Sequence, residues 1–393
     1  MRYRLFFWMC CLFYSGKLRG QDTTGSVQKK DVIDVFVHWL HIRLPDSTRK
    51  KNAIIFSIIP VAPANLGQKQ AAFSAINMAF FAGNPGTTNL SSIYFLPYTN
   101  FSSRSGFTVT PNVWLADNRW NLYGDIRITK NENITYGLGS NTPTSGKNVI
   151  DYRYVRVYLN ASHKIWGPFY AGIGYAMDHY SDVKNERTSA YPDVFSTYGI
   201  GTGSETKTSG FTVNLLFDSR KNSINPSAGA YSSLTFRFNP AHGDSALRWS
   251  SVYFDTRKYL SLSDKRHSIL AFWVLYWGTY GEVPYLVLPG TSLDASGRMA
   301  RGYDYGRYRG RQMLYGESEW RFDLTANGLL GGVVFFNTQS YSEPTTEEFS
   351  YLLPAIGTGL RLKFNKRSDM NITLDFAVGK NSFNWYLNLG EFF

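Results

Sequence analysis

Hydrophobic and polar positions alternate along most of this chain. In 119–128, Arg119, Asn121, Tyr123, Asp125 and Arg127 fall on one face of an extended strand. Trp120, Leu122, Gly124, Ile126 and Ile128 fall on the other. The same period of two recurs in 231–239, where Leu234, Phe236 and Phe238 alternate with Ser233, Thr235, Arg237 and Asn239. In 360–365, Leu360, Leu362 and Phe364 oppose Arg361, Lys363 and Asn365; in 371–378, Ile372, Leu374, Phe376 and Val378 oppose Asn371, Thr373 and Asp375. From Asn52 onward the pattern predicts sixteen strands: 52–60, 71–83, 88–97, 105–116, 119–128, 150–162, 167–178, 208–218, 230–239, 247–260, 266–279, 312–324, 328–338, 352–365, 369–379 and 382–393.

A soluble sandwich also alternates, so the period alone does not choose between architectures. Three features favour a membrane barrel. The apolar faces are bulky and nearly free of charge. The polar faces carry real charges, among them Arg361, Lys363 and Asp375, which suit a wet lumen. Long connections follow odd-numbered strands, near 129–149, 179–207 and 280–311, whereas 117–118 and 325–327 after even strands are short. Loops long on one side and short on the other mark an antiparallel transmembrane β-barrel, and an even strand number puts both ends on the periplasmic side. The predicted fold is therefore all-β, a 16-stranded antiparallel transmembrane β-barrel over 52–393.

The residues ahead of it follow other rules. Arg2 and Arg4 precede an apolar stretch from Leu5 to Tyr14, and small residues follow at Ser15, Gly16 and Gly20. This reads as an export signal over 1–20; the alternative is a short buried helix. Residues 21–51 form a periplasmic or lumenal segment. Within it, Val32, Val35, Phe36, Trp39 and Leu40 follow helical spacing over 31–43, ended by Pro45; a ragged first strand is the alternative.

Composition supports the barrel. Of 393 residues, 17% are aromatic and 18% charged, which excludes a disordered chain. No run of about 18 apolar residues is present to make a helical span. Both cysteines, Cys10 and Cys11, lie in the signal, so a processed chain has no thiol for a disulfide or metal. Loss of Arg2, Arg4, Lys17 and Arg19 with the signal lowers the formal net charge from +12 to +8. The basic balance meets lipopolysaccharide phosphates at an exported surface before any nucleic acid. We find no phosphate-cradling loop, no H-E-x-x-H, no G-x-S-x-G and no metal-ligand cluster, and expect neither an enzyme nor a cofactor.

Three segments carry a resemblance. The first is Asp218, Arg220 and Asn222, followed by Asn225, Pro226 and Gly229, a turn chemistry in which Asp and Arg can pair. The second is the long connection that ends in Met299-Ala300-Arg301-Gly302-Tyr303. The third is the pair Gly357-Thr358-Gly359-Leu360-Arg361 and Ile372-Thr373-Leu374-Asp375-Phe376. Together they resemble the superfamily of outer-membrane insertases and two-partner secretion transporters, the bacterial surface antigen barrels of the BamA/TamA type. They match its D-x-R-x-N hairpin turn, its R-G-F/Y loop motif and its penultimate hairpin. The resemblance covers roughly 208–393.

The resemblance implies that Arg301, Gly302 and Tyr303 sit at the tip of a loop folded back into the lumen. A buried guanidinium needs carboxylates. Glu317, Glu319 and Asp375, on polar strand faces, are the candidate partners, with Asp375 and Glu319 foremost. At Asn337 the chain departs from the family, where an acidic residue often stands. Arg298, Arg307, Arg309 and Arg311 either line the lumen and favour anions or form a solvated loop face. In the last strand, Phe383, Trp385, Leu387 and Leu389 form an apolar stripe leading to Phe393, interrupted by Glu391. It resembles the insertion signal of outer-membrane barrels, which implies barrel-assembly machinery as a partner in the chain's own insertion. The periplasmic POTRA modules that usually precede such barrels do not fit into the roughly 30 residues between signal and first strand.

The expected setting is the bacterial outer membrane, with its lipids and lipopolysaccharide as surroundings. The expected role is assisting insertion or translocation of a polypeptide client through a weak seam between strands 52–60 and 382–393. The alternatives are a passive or plugged pore, and a structural barrel that anchors a periplasmic partner through 21–51.

Overall fold

The computed structural model describes residues 29–32, 34–35, 54–66, 69–101, 104–187, 192–241, 247–263, 267–294 and 298–393, without the side chains of 59–73 and 187. The signal (1–20), most of 21–51, most of the helix at 31–43 and the first residues of the first predicted strand lie outside them.

Sixteen antiparallel strands follow one another in chain order around one sheet: β1 (Ile55–Leu66), β2 (Lys69–Phe80), β3 (Ser91–Thr99), β4 (Ser105–Trp114), β5 (Trp120–Thr135), β6 (Asn148–Trp166), β7 (Phe169–Arg187), β8 (Thr206–Asp218), β9 (Gly229–Asn239), β10 (Trp249–Ser261), β11 (Ser268–Gly281), β12 (Gln312–Asp323), β13 (Leu330–Tyr341), β14 (Leu353–Asn365), β15 (Met370–Gly379) and β16 (Ser382–Leu389). The sheet curls until β16 lies beside β1. Alternation sorts the side chains. Ile173, Phe211, Ile356, Val378 and Phe383 are exposed on the outer face, while Asp178, Asn214, Arg237, Glu319, Thr373 and Asp375 are buried on the inner face. An apolar outer surface over a polar interior is the arrangement that a lipid-embedded barrel requires.

Three strands run well past their predicted ends. β5, β6 and β7 extend to Thr135, from Asn148 to Trp166 and from Phe169 to Arg187. The apolar outer stripe stops sooner: Arg153 and Asp182 pair outside at 2.9 Å. On the inside, Ile150, Tyr152, Tyr154 and Tyr180 keep the strands ordered by packing under a loop core of Val283, Tyr285, Leu286 and Leu288. The hairpin therefore stands above the length of about ten residues that crosses a bilayer.

β1 runs on to Leu66 through Pro60 and Pro63, with its register shifting between Ile59 and Ala62. Proline has no N–H to donate and belongs on an edge strand. β16 ends at Leu389 rather than 393, and Gly390 (φ 94°) turns the chain inward.

Candidate functional site: the lumenal loop and the seam

The connection between β11 and β12 enters the barrel, where its apolar and aromatic side chains meet matching walls. Tyr285, Leu286, Val287 and Leu288 join the core against β6 and β7. Met299, Ala300, Tyr303 and Tyr308 join a second core with Trp273, Leu275, Met313, Tyr315, Tyr341, Phe392 and Phe393.

Arg301 lies at the centre of that second region, fully buried. Its guanidinium bonds Glu317 and Glu319 on β12 and Asp375 on β15. The rings of Phe335 and Phe392 cover it at 3.5 and 4.2 Å from their centroids. Asn337, the departure from the family pattern, donates through Nδ2 to the Arg301 carbonyl oxygen at 2.9 Å. It holds the main chain of the motif where an acid would have faced the guanidinium. Gly302 has φ 101°, and a Cβ there would come within 2.8 Å of the Ala355 Cβ. The Gly302 N–H donates to Tyr386 Oη at 2.8 Å, and Tyr303 Oη donates to the Pro354 carbonyl at 2.7 Å. Gly359 stands opposite Asp375, where any Cβ would overlap the carboxylate. The glycine in the Gly357-Thr358-Gly359 segment thus makes room for the acid that holds Arg301.

The network widens below. Arg321 bonds Glu319 at 2.7 Å through Nε, and Arg361 bonds Asp375 at 2.5 Å and Glu391 at 2.8 Å. Glu391 also accepts from Asn371 at 2.6 Å. Burial pushes the Glu391 pKa up, but the Arg361 and Arg321 guanidiniums outweigh it and hold the carboxyl below its ordinary range. Three buried guanidiniums face four buried carboxylates here. Removing one member of such a set leaves an uncompensated buried charge, a cost of about 3–5 kcal/mol. Sequence reasoning placed Glu391 on an outward stripe and missed its role. A second inner network, Asp125 with Arg127 and Arg156 and Asp178 with Arg237, went unrecognised as pairs. The polar side of the alternation was the available signal for it.

Arg309 is buried and Arg298, Arg307 and Arg311 are half-buried; each braces backbone or side-chain oxygens nearby. Arg298 donates to the Glu391 carbonyl at 2.6 Å, Arg307 to the Thr142 carbonyl at 2.6 Å, and Arg309 to the Tyr285 carbonyl at 2.9 Å. Arg311 donates to the Gly281 carbonyl at 2.6 Å. Loop carbonyls drawn away from water need such donors.

The Asp218 turn closes the opposite end. Asp218 and Arg220 form a bidentate pair at 2.7 and 3.0 Å, with Arg220 over the Tyr231 ring. Beyond ordinary turn chemistry, Asn222 and Asn225 reach across to the β14–β15 turn, donating to the carbonyls of Ser368 and Asp369 at 3.0 and 3.2 Å. Ile224 joins an apolar cluster with Ala75, Ala79, Leu90, Met370 and Leu389. Pro226 lies in the same connection, and Gly229 (φ 102°) opens β9. The described part of the N-terminal segment docks nearby: Lys366 bonds Asp34 at 2.6 Å through Nζ and Asp31 at 3.0 Å through its N–H.

The predicted stripe of the last strand is only partly outward. Phe383 is exposed, and Trp385 and Leu387 are half-buried. Leu389 is fully buried in the cluster with Ala75 and Ala79 of β2. Phe393 is a lumenal residue, against Trp273 and Tyr259, and Arg321 donates to its main-chain oxygen at 2.9 Å. The inward turn after Leu389 is the physical reason: it removes Glu391 and both terminal aromatics from the lipid face.

Each neighbouring strand pair from β1–β2 to β15–β16 has a hydrogen-bonded ladder; among the described residues none joins β1 to β16. Beside this seam, Ser57 and Asn77 face each other across β1 and β2, fully buried, with no hydrogen-bond partner for Ser57 Oγ or either Asn77 amide atom.

No protein-family model matches the chain, and no curated protein matches its sequence. Solved structures do resemble it. BamA from Haemophilus ducreyi lacking POTRA domains 1-3 is 13% identical, with a TM-score of 0.51 over 87% of this chain and 70% of that one. CdiB from Acinetobacter baumannii is 13% identical, with a TM-score of 0.50 over 86% of this chain and 65% of that one. At such identity the likeness is one of fold: a sixteen-stranded barrel like those of BamA and CdiB.

Proposed function

We propose that this barrel resides in the bacterial outer membrane and assists insertion or passage of a polypeptide at the seam between β1 and β16. The seam carries the reading. It is the one adjacent pair among the described strands that lacks a ladder, and an unladdered edge offers free N–H and C=O groups to an incoming strand. Pro60 and Pro63 in β1 limit how completely β16 itself can close that edge. This role needs neither a catalytic residue nor a cofactor, and the exposed apolar belt suits outer-membrane lipids. To test it, Ile55 and Leu389 are both replaced by Cys in a chain without Cys10 and Cys11, and a bifunctional thiol reagent joins the seam. The joined barrel is expected to lose client assembly in reconstituted vesicles, with activity restored on reduction of a cleavable linker. Full activity of the joined barrel sinks the proposal.

The passive pore is less well supported, because the described residues of 282–311 pack inside the lumen and the Asp218 turn reaches across to the β14–β15 turn. The anchoring role has one observation behind it, the docking of Asp31 and Asp34 on Lys366.

A further inference from the structure

Residues 298–304 do more than seat Arg301. They run along the lumenal face of β16 and hold alternate residues of it. Asn384 donates through Nδ2 to Asp304 Oδ1 at 3.2 Å. Tyr386 Oη accepts from the Gly302 N–H at 2.8 Å. Asn388 Oδ1 and the Leu389 carbonyl each accept from Arg298 Nη2 at 3.5 Å, and the Glu391 carbonyl accepts from its Nη1 at 2.6 Å. The order is reversed along the two segments, 304, 302, 298 against 384, 386, 388. The loop therefore lies beside β16 as an antiparallel splint.

We propose that this splint, rather than the barrel wall, decides whether β16 zips onto β1. Arg301 grips β12 and β15, which have ladders on both sides. Its neighbours in the same short stretch grip β16, which has a ladder on one side only. A shift of the loop is thus passed to the seam. The tucked position of β16 needs such a hold. In that position one edge of β1 has no ladder, and beside it Ser57 and Asn77 are buried without partners. Among the described residues, the splint bonds and the burial of Leu389 against Ala75 and Ala79 hold β16 in that position. Arg298, Asp304 and Tyr386 are positioning residues for the seam. The inference rests on the seam reading, but its readout requires no client, so the two can fail separately.

The test is amide hydrogen exchange, read by mass spectrometry on residues 54–66 of the full chain refolded in vesicles. In the double variant Arg298→Gln, Tyr386→Phe, β16 is expected to pair with β1. The slow-exchanging population of β1 should grow, and the seam-facing amides slow by about tenfold, the effect of roughly one net hydrogen bond of lost hold. The heat-modifiable migration of a folded barrel serves as the folding control. Unchanged or faster exchange in a barrel that remains folded overturns the splint. Should the double variant not fold, Tyr386→Phe alone, which removes a single hydroxyl, carries the same test with a smaller expected slowing, and no slowing there also overturns it.

Discussion

Strands β12–β15 and strands β1–β2 line the same lumen with opposite furnishings. The first wall carries Glu317, Glu319, Arg321, Arg361 and Asp375, and these charges are paired with one another or with Arg301. The second carries Ser57, Ala75, Asn77 and Ala79, small or neutral, with the two polar residues unpartnered. Both walls bury polar atoms, and the first leaves some unpaired too, among them Arg321 Nη1, Asn337 Oδ1 and Gln339 Nε2; but it pairs every one of these charges, whereas neither polar side chain of the second has a partner. A low-dielectric interior strengthens a satisfied network and penalises an orphan. The same physics makes one wall rigid and leaves the other on the edge of rearrangement. The charged wall and the seam thus differ in one variable, whether the buried polar side chains are held by charge pairs.

The contrast can be broken most forcefully at Arg301. Arg301→Met leaves Glu317, Glu319 and Asp375 facing only Arg321 and Arg361, and is expected to destabilise the barrel by about 3–5 kcal/mol in urea unfolding from vesicles. A loss below about 1 kcal/mol would show that the locked wall is not held by its charges. Next in size, Gly359→Ala forces the Asp375 carboxylate aside. Overpacking of this kind is expected to cost about 1–3 kcal/mol by the same measurement. Smallest, and opposite in sign, is the pair Ser57→Ala and Asn77→Ala. Each removes orphaned polar atoms, so stability is expected to hold or to rise by about 1 kcal/mol. A marked loss at either position would mean that the second wall is satisfied after all, and the contrast with the first would fall.

Much of the first wall was legible along the chain. A period of two places Glu317, Glu319, Arg321, Arg361 and Asp375 on inner faces, and Arg301 in a long aromatic loop calls for acids. Asn337 was legible as a departure but not as a donor to the Arg301 carbonyl, because that role depends on where the loop's main chain lies. Glu391 and Phe393 were misplaced on the outer stripe, since alternation continues in the sequence after Gly390 has already turned the chain inward. The arginines at 298, 307, 309 and 311 were ambiguous because their partners are carbonyl oxygens, which every residue possesses and no sequence pattern marks.

By itself, the sequence determined the strand number, the sorting of side chains between lipid and lumen, and the need of Arg301 for carboxylates. The first two follow from local period; the third follows from the lumenal position that the resemblance implies for Arg301 and from the cost of burying charge. Only the tertiary structure decided that all three candidate acids answer Arg301 at once, that the Asp218 turn reaches the β14–β15 turn, and that β16 lies beside β1 without a ladder. These depend on how a sixteen-stranded sheet closes on itself. Closure brings together residues more than 300 positions apart, such as Ala75 and Leu389, whose meeting no local pattern encodes.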